Sequence, residues 1–171
     1  MINPSRLILE YEKRGSPLGK SILEEEFPSL VANLQERLGV SPKVLNLSPN
    51  SLNILATLLL GYYQREFLDI KEDDEEEIVR MIREIAAYIG RVILKNSKGK
   101  LQTWGGLWGT EIVFEGPVKS IKGSQTITHK QGVVSLGQIA SSTWTALQMG
   151  VEPKLYKLFQ LSVAKNVREE Y

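Results

Sequence analysis

The sequence contains no cysteine and a single histidine, His129. The missing thiols exclude cysteine nucleophiles, thiolate zinc sites, iron–sulfur clusters and a disulfide-bonded scaffold. One imidazole leaves little room for a Ser-His-Asp triad and none for a multi-histidine metal centre. We therefore expect no metal and no cofactor, and a cysteine-free chain also fits the reducing cytoplasm.

Long apolar runs are also missing. The first fifteen residues hold at most three consecutive apolar residues, whereas a signal peptide needs about 7–15. The longest apolar stretch, 52–63, is interrupted by Asn53 and Thr57 and is shorter than the roughly 18–20 residues that a membrane span needs. We therefore expect a cytoplasmic protein that does not enter the membrane.

The length and charge of the chain are those of an ordinary globular domain. It has 171 residues, of which 42% are hydrophobic and 24% charged, so we expect one domain over residues 1–171. The net charge of +1 hides an asymmetry, because residues 1–90 hold 10 basic and 15 acidic side chains and residues 91–171 hold 11 and 5. The two halves could attract each other within the fold, or the basic half could contact nucleic acid.

Four to five helices are indicated by apolar residues at helical spacing between capping signals. The expected helices begin near Pro28, Ser48-Pro49, Asp74, Ser135 and Pro153.

The clearest of these helices covers about 74–95 and follows a run of seven acids in residues 69–77, where negative charge favours a helix start. Asp74 and Glu77 have the spacing of an acidic capping box. The same spacing puts Arg83 and Glu84 on its polar face, together with Arg80 and Arg91. Residues 1–27 are left open, since Leu7 to Tyr11 fits either an edge strand or a helix.

After Lys98-Gly99 the apolar pattern changes from helical spacing towards alternation. Residues 101–134 predict a small antiparallel sheet of three or four strands. Gly123-Ser124 suits a two-residue hairpin loop of type II′ between strands 118–122 and 125–130. The fold class expected is therefore α+β, with the helices packed on this sheet.

The turn from Trp104 to Gly109 has the most unusual local composition, with two tryptophans among three glycines. Tryptophan fills cores, and it is also enriched where proteins bind partners. One interpretation is a glycine turn that joins two strands. The other is a recognition surface, in which Trp104, Leu107 and Trp108 form one exposed apolar patch.

A second candidate site uses Tyr88, Glu111 and His129, which could converge on a pocket between the sheet and the helix of about 74–95. His129 has the pKa range of a general base. No serine lies in a nucleophile-elbow motif, however. A solvent-facing hairpin histidine is the alternative.

Gly15 to Ser21 ends in Gly-Lys-Ser, as a phosphate-binding loop does. The chain has three residues between the glycines where that loop needs four, and Arg14 stands where the first glycine would fall. Pro17 also removes an amide donor. We interpret this segment as a surface turn.

Two segments between residues 44 and 115 carry a family resemblance. They are Leu47-Ser48-Pro49-Asn50-Ser51-Leu52 and Ala87-Tyr88-Ile89-Gly90-Arg91-Val92, followed by Lys98-Gly99 and Trp104. The chain resembles small uncharacterised bacterial α+β domains with a Ser-Pro-x-Ser-Leu helix, an Ala-Tyr-hydrophobic-Gly-Glu-Val helix and a Gly-x-Trp strand. Arg91 stands where that pattern has glutamate. The resemblance implies a non-enzymatic module, in some contexts immunity-like or an adaptor.

Three functional hypotheses remain open from the sequence. The first is a non-catalytic cytoplasmic protein-interaction module, with an unknown protein partner and a homodimer as one form of partnership. The alternative is a small-ligand or enzymatic pocket that involves His129. The third is nucleic-acid binding by the basic second half.

Overall fold

The computed structural model describes residues 2–67, 74–114, 118–122, 125–129 and 132–161, with the backbone alone in 118–122 and 125–129. Six helices and five strands lie in these residues, which confirms the α+β class. The helices are α1 (Pro4–Lys13), α2 (Phe27–Leu38), α3 (Ser51–Glu66), α4 (Glu75–Asn96), α5 (Leu136–Gln148) and α6 (Leu155–Phe159). The strands are β1 (Lys100–Thr103), β2 (Thr110–Phe114), β3 (Val118–Lys122), β4 (Gln125–His129) and β5 (Gly132–Ser135).

Helix α4 is the centre of the fold, because every residue from 81 to 90 is buried. Helices α2 and α5 pack against it at Gly90. A Cβ atom added there would lie 2.7 Å from Cδ1 of Leu136 and 2.9 Å from Cε1 of Phe27. The absence of a side chain at this position therefore allows two helices to approach α4 closely.

The position of α4 confirms the predicted helix of about 74–95, but two details of that prediction are wrong. Arg83 and Glu84 are buried rather than solvent-facing, because α4 is covered on several sides. Asp74 makes no side-chain capping bond. The Glu77 carboxylate contacts Arg37 and Arg80 instead of turning back to the helix start.

Helix α1 is the element that the sequence left open. The Asn3 side chain accepts a hydrogen bond from the Arg6 backbone N–H at 3.2 Å, and proline follows in the first turn. Leu7, Ile8 and Tyr11 are buried on one face, as helical spacing requires. Asn-Pro is a helix-start signal, so the local sequence did contain the evidence for α1.

The strands form two antiparallel sheets rather than the single sheet expected over 101–134. One sheet has the order β1-β2-β5, with Leu101 and Val134 on either side of Ile112. The other is the β3–β4 hairpin, in which Val118 pairs with His129. Within the described residues, β3 and β4 are bonded only to each other, although both strands lie where the sequence predicted them.

A half-buried arginine of α2 forms an ion pair with the buried Glu84 of α4. Arg37 of α2 donates to both carboxylate oxygens of Glu84, each at 2.8 Å, and also contacts Glu77 and the Tyr62 hydroxyl. Its hydrogen bond to Glu84 raises the pKa of Arg37 above its ordinary range. This cluster joins α2, α3 and α4, and its partners are all internal.

Candidate functional site

The turn between β1 and β2 presents an indole ring to solvent. The Trp104 side chain is 73% exposed, and its Nε1 donates to Oε2 of Glu111 at 2.9 Å. The Trp104 backbone N–H donates to the Gly109 carbonyl at 2.8 Å. Gly105 and Gly106 have φ values of 124° and 72°, which a side chain rarely permits. The backbone turn and Glu111 together hold the ring in place.

The prediction that Trp104, Leu107 and Trp108 form one exposed apolar patch is wrong. Leu107 is fully buried, and its backbone N–H donates to the Gly19 carbonyl at 3.0 Å. Trp108 is half-buried and packs against the core. Its indole nitrogen is buried and finds no hydrogen-bond partner among the described residues. The turn is anchored in the protein at these two residues, so Trp104 alone is left as the exposed aromatic.

An open cleft of about 560 Å³ lies against the same turn, at the two glycines that follow Trp104 in the chain. It is walled by the segment between α1 and α2, by the start of α2, by α4 and by the glycines of the β1–β2 turn. Its lining residues are Pro17, Leu18, Lys20, Ser21, Leu23, Glu26, Leu30, Arg83, Gly105 and Gly106. Its volume lies in the range of small-ligand sites.

Arg83 is the buried cation of this cleft, at 5% exposure. Its Nη1 donates to the carbonyls of Leu18, at 3.1 Å, and of Lys20. Its Nη2 lies 3.2 Å from Oε2 of Glu26, a half-exposed carboxylate. Burial lowers the pKa of Arg83 and the Glu26 charge opposes that shift. The cleft therefore contains a desolvated positive charge whose carboxylate partner faces the opening.

The segment Gly15 to Ser21 forms one wall of the cleft. The Ser16 hydroxyl accepts from the Leu18 N–H at 3.2 Å, and Ser21 donates to the Gly106 carbonyl at 3.0 Å. Gly19 lies against α1, since a Cβ atom there would be 2.4 Å from the Glu12 nitrogen. These contacts hold the segment to α1 and to the glycine turn, an arrangement unlike a loop that curls around phosphate.

The alternative pocket of Tyr88, Glu111 and His129 is not assembled by the described residues. Tyr88 is buried and its hydroxyl lies 2.7 Å from Ser51 Oγ and accepts from the Leu47 N–H at 3.1 Å. Burial raises the pKa of Tyr88. Glu111 instead binds Trp104 at the surface. The prediction that Tyr88 and Glu111 converge on one pocket is therefore wrong. The structure describes only the backbone of His129.

The contacts of Tyr88 join helix α4 to the segment that precedes α3. Tyr88 binds both Leu47 and Ser51, and the Asn96 side-chain amide donates to the Leu47 carbonyl at 3.1 Å. Leu47 has a φ of 64°, a strained value for a leucine. The Ser-Pro-x-Ser segment and the Ala-Tyr helix are thus one structural unit that holds this bend.

Two further clefts are polar. One of about 460 Å³ contains Arg91, Lys95 and Lys100 with a single carboxylate, Glu24. The other, about 340 Å³, lies between α1 and α5 and is lined by Trp108 and hydroxyl and amide side chains. The first of these two clefts also has Leu94 and Leu101 in its lining, but the Arg83 cleft has more apolar residues and a buried charge.

Comparisons of the chain with protein-family models, with curated proteins and with solved structures find no match. No helix in the described residues is long and apolar enough to cross a membrane. Across the same residues, histidine and acidic side chains nowhere gather in threes around a metal-sized space. The candidate site is therefore the Arg83 cleft, whose lining includes the two glycines that follow the exposed Trp104.

Proposed function

We propose that the protein is a non-catalytic cytoplasmic interaction domain that binds a partner protein through Trp104 and the adjacent Arg83 cleft. The observation that carries this proposal is the 73% exposure of an indole whose N–H is fixed by Glu111. The hydrogen bond to Glu111 favours one orientation of the ring, which reduces the conformational freedom that it loses when a partner covers it. Interface hot spots are enriched in tryptophan and arginine for this kind of contact.

The chemistry of the cleft favours recognition over catalysis. Its carboxylate, Glu26, is paired with Arg83, and Arg83 is held by two backbone carbonyls. An arginine does not exchange protons near neutral pH, and its fixed fork of donors suits binding. Apolar walls beside a charged group are the usual composition of a binding pocket.

The test is a comparative pull-down from the native lysate with the unmodified chain, Trp104→Ala and Met149→Ala. Met149 is the control because it is a large apolar side chain on another element and is 63% exposed. Trp104→Ala should lose the partner and Met149→Ala should keep it, and each should change the free energy of unfolding by less than about 0.5 kcal/mol. Equal recovery with both variants would refute the role of Trp104.

A homodimer is one form that this interaction could take. β1 and β5 are the edge strands of the three-stranded sheet, and edge strands can pair between chains. Light scattering over a range of concentrations measures this directly. A dimer that Trp104→Ala dissociates would make the partner a second copy of the chain.

A further inference from the structure

We infer that the Arg83 cleft binds the C-terminal carboxylate of an apolar chain end. This inference rests on the proposed interaction function and names the part of the partner that the cleft recognises. It is carried by a buried arginine between apolar walls, by an excess of positive charge in the lining and by an open rim.

The charges of the lining favour a single negative group. Arg83 and Lys20 supply two positive charges, and Glu26 supplies one negative charge. Lys20 is exposed, and the pair of Glu26 with Arg83 is made on the guanidinium nitrogen that does not bind the loop carbonyls. An incoming carboxylate can therefore take the place of Glu26 on Nη2 while Leu18 and Lys20 keep Nη1 in position. Arginine binds carboxylates in this way because its donors are planar and always charged.

The walls supply the apolar part of the recognition. Pro17, Leu18, Leu23 and Leu30 line the cleft around these charges. A volume of about 560 Å³ accepts one or two aliphatic side chains beside the carboxylate. A terminal residue such as leucine or valine has both groups on one backbone unit, so it matches the lining.

The opening of the cleft favours a chain end over a free small acid. Leu23 lines the cleft and is 46% exposed. A chain whose end lies at Arg83 would leave across this apolar side chain and cover it. A free acid of the same size would leave it exposed.

Titration calorimetry and amide NMR shifts of Gly105 and Gly106 test the inference with three probes. They are the peptide acetyl-Gly-Ser-Val-Val-Leu with a free carboxylate, the same peptide as its C-terminal amide, and 4-methylpentanoate. We expect the free-acid peptide to bind about ten-fold more tightly than the amide, the scale of a charge-assisted hydrogen bond. Equal binding of acid and amide, or no binding of either, overturns the inference. Tight binding of 4-methylpentanoate, equal to that of the peptide, overturns the chain end as the source.

Variants separate recognition from a structural role. Glu26→Gln removes the competing carboxylate and should tighten binding of the free-acid peptide about three- to five-fold, whereas its neighbour Glu25→Gln should leave it unchanged. Lys20→Gln should weaken binding by a similar factor, with Lys13→Gln as its control. If Glu26 only held the fold together, Glu26→Gln would weaken binding, which overturns the competition argument.

The acid–amide comparison needs no variant, so it decides the inference even where a substitution harms folding. The peptide measurements also use the isolated chain and synthetic probes. Peptide binding can fail while Trp104→Ala still abolishes capture of the partner protein. Peptide binding can also succeed while Trp104→Ala leaves capture of the partner unchanged. The two proposals therefore fail separately.

Discussion

Replacing Gly90 by alanine tests the central packing of the fold. The added methyl group would lie 2.7 Å from Cδ1 of Leu136 and 2.9 Å from Cε1 of Phe27, both in fully buried side chains. Overpacking of a core costs about 1–3 kcal/mol, and contacts this short on two sides favour the upper part of that range. Alanine returns about 1 kcal/mol through its helix propensity. We expect a net loss of about 1–2 kcal/mol in the free energy of unfolding.

Gly61 in α3 provides the matched control, because it is also a helical glycine. A Cβ atom there would meet only Nη1 of Arg65, at 3.3 Å, and that atom is the mobile end of an exposed side chain. Gly61→Ala should therefore gain up to about 1 kcal/mol from helix propensity. Urea titration followed by circular dichroism gives both values. A Gly90→Ala protein stabilised as much as Gly61→Ala would refute the close approach of α2 and α5 to α4.

The buried ion pair and the buried tyrosine give two further expectations. Arg37→Met leaves the buried Glu84 carboxylate without its main partner and should lower the free energy of unfolding by roughly 3 kcal/mol. Arg80→Met, at an exposed pair, should lower it by less than about 0.5 kcal/mol. Equal losses for the two variants in urea titration would contradict the difference in burial. Tyr88→Phe removes the acceptor of the Leu47 N–H and should cost about 1–2 kcal/mol. Since burial raises the pKa of Tyr88 above its ordinary 10.0, the unfolded chain loses this proton first, so stability falls as pH rises beyond 10. Tyr88→Phe should make that decline shallower, and an unchanged slope would refute the assignment.

Elements with strong local patterns could be predicted from the sequence. Helix α2 ends at Gly39 in the left-handed conformation, and α5 begins with Ser135 accepting from the Gln138 N–H, both as the capping signals indicate. The β3 and β4 strands lie where alternation predicted them, and Lys122 pairs with Gln125. The type II′ loop predicted at Gly123-Ser124 lies outside the described residues. The expected helix after Pro153 is described only as α6, and residues 162–171 lie outside the description.

The candidate site could not be predicted in this way. Its lining comes from the segment 17–30, from Arg83 of α4 and from the β1–β2 turn at Gly105 and Gly106, three parts of the chain that are far apart in sequence. Residues 17–26 have no periodic pattern. They form two short 3₁₀ turns, and hydrogen bonds to distant parts of the chain, such as that from Ser21 to Gly106, hold them in place. Helical periodicity placed Arg83 on the solvent side of α4. The pattern of one helix carries no information about a loop that packs over that helix. The sequence singled out the glycine turn after Trp104 and the segment Gly15 to Ser21, but it did not indicate that the two lie on one cleft.

Arg37 and Arg83 differ in how their charges are compensated. Arg37 meets a buried carboxylate with two bonds, and its pKa is raised. Arg83 is more deeply buried, yet its pKa is lowered, because Glu26 is half-exposed and compensates only part of the desolvation. Burying this cation is costly even though two carbonyls and Glu26 bind it, and replacing a buried ion pair by apolar residues is often neutral or stabilising. Sites that break the rules of stable packing in this way are where function is expected, and this one opens onto an apolar cleft beside an exposed tryptophan.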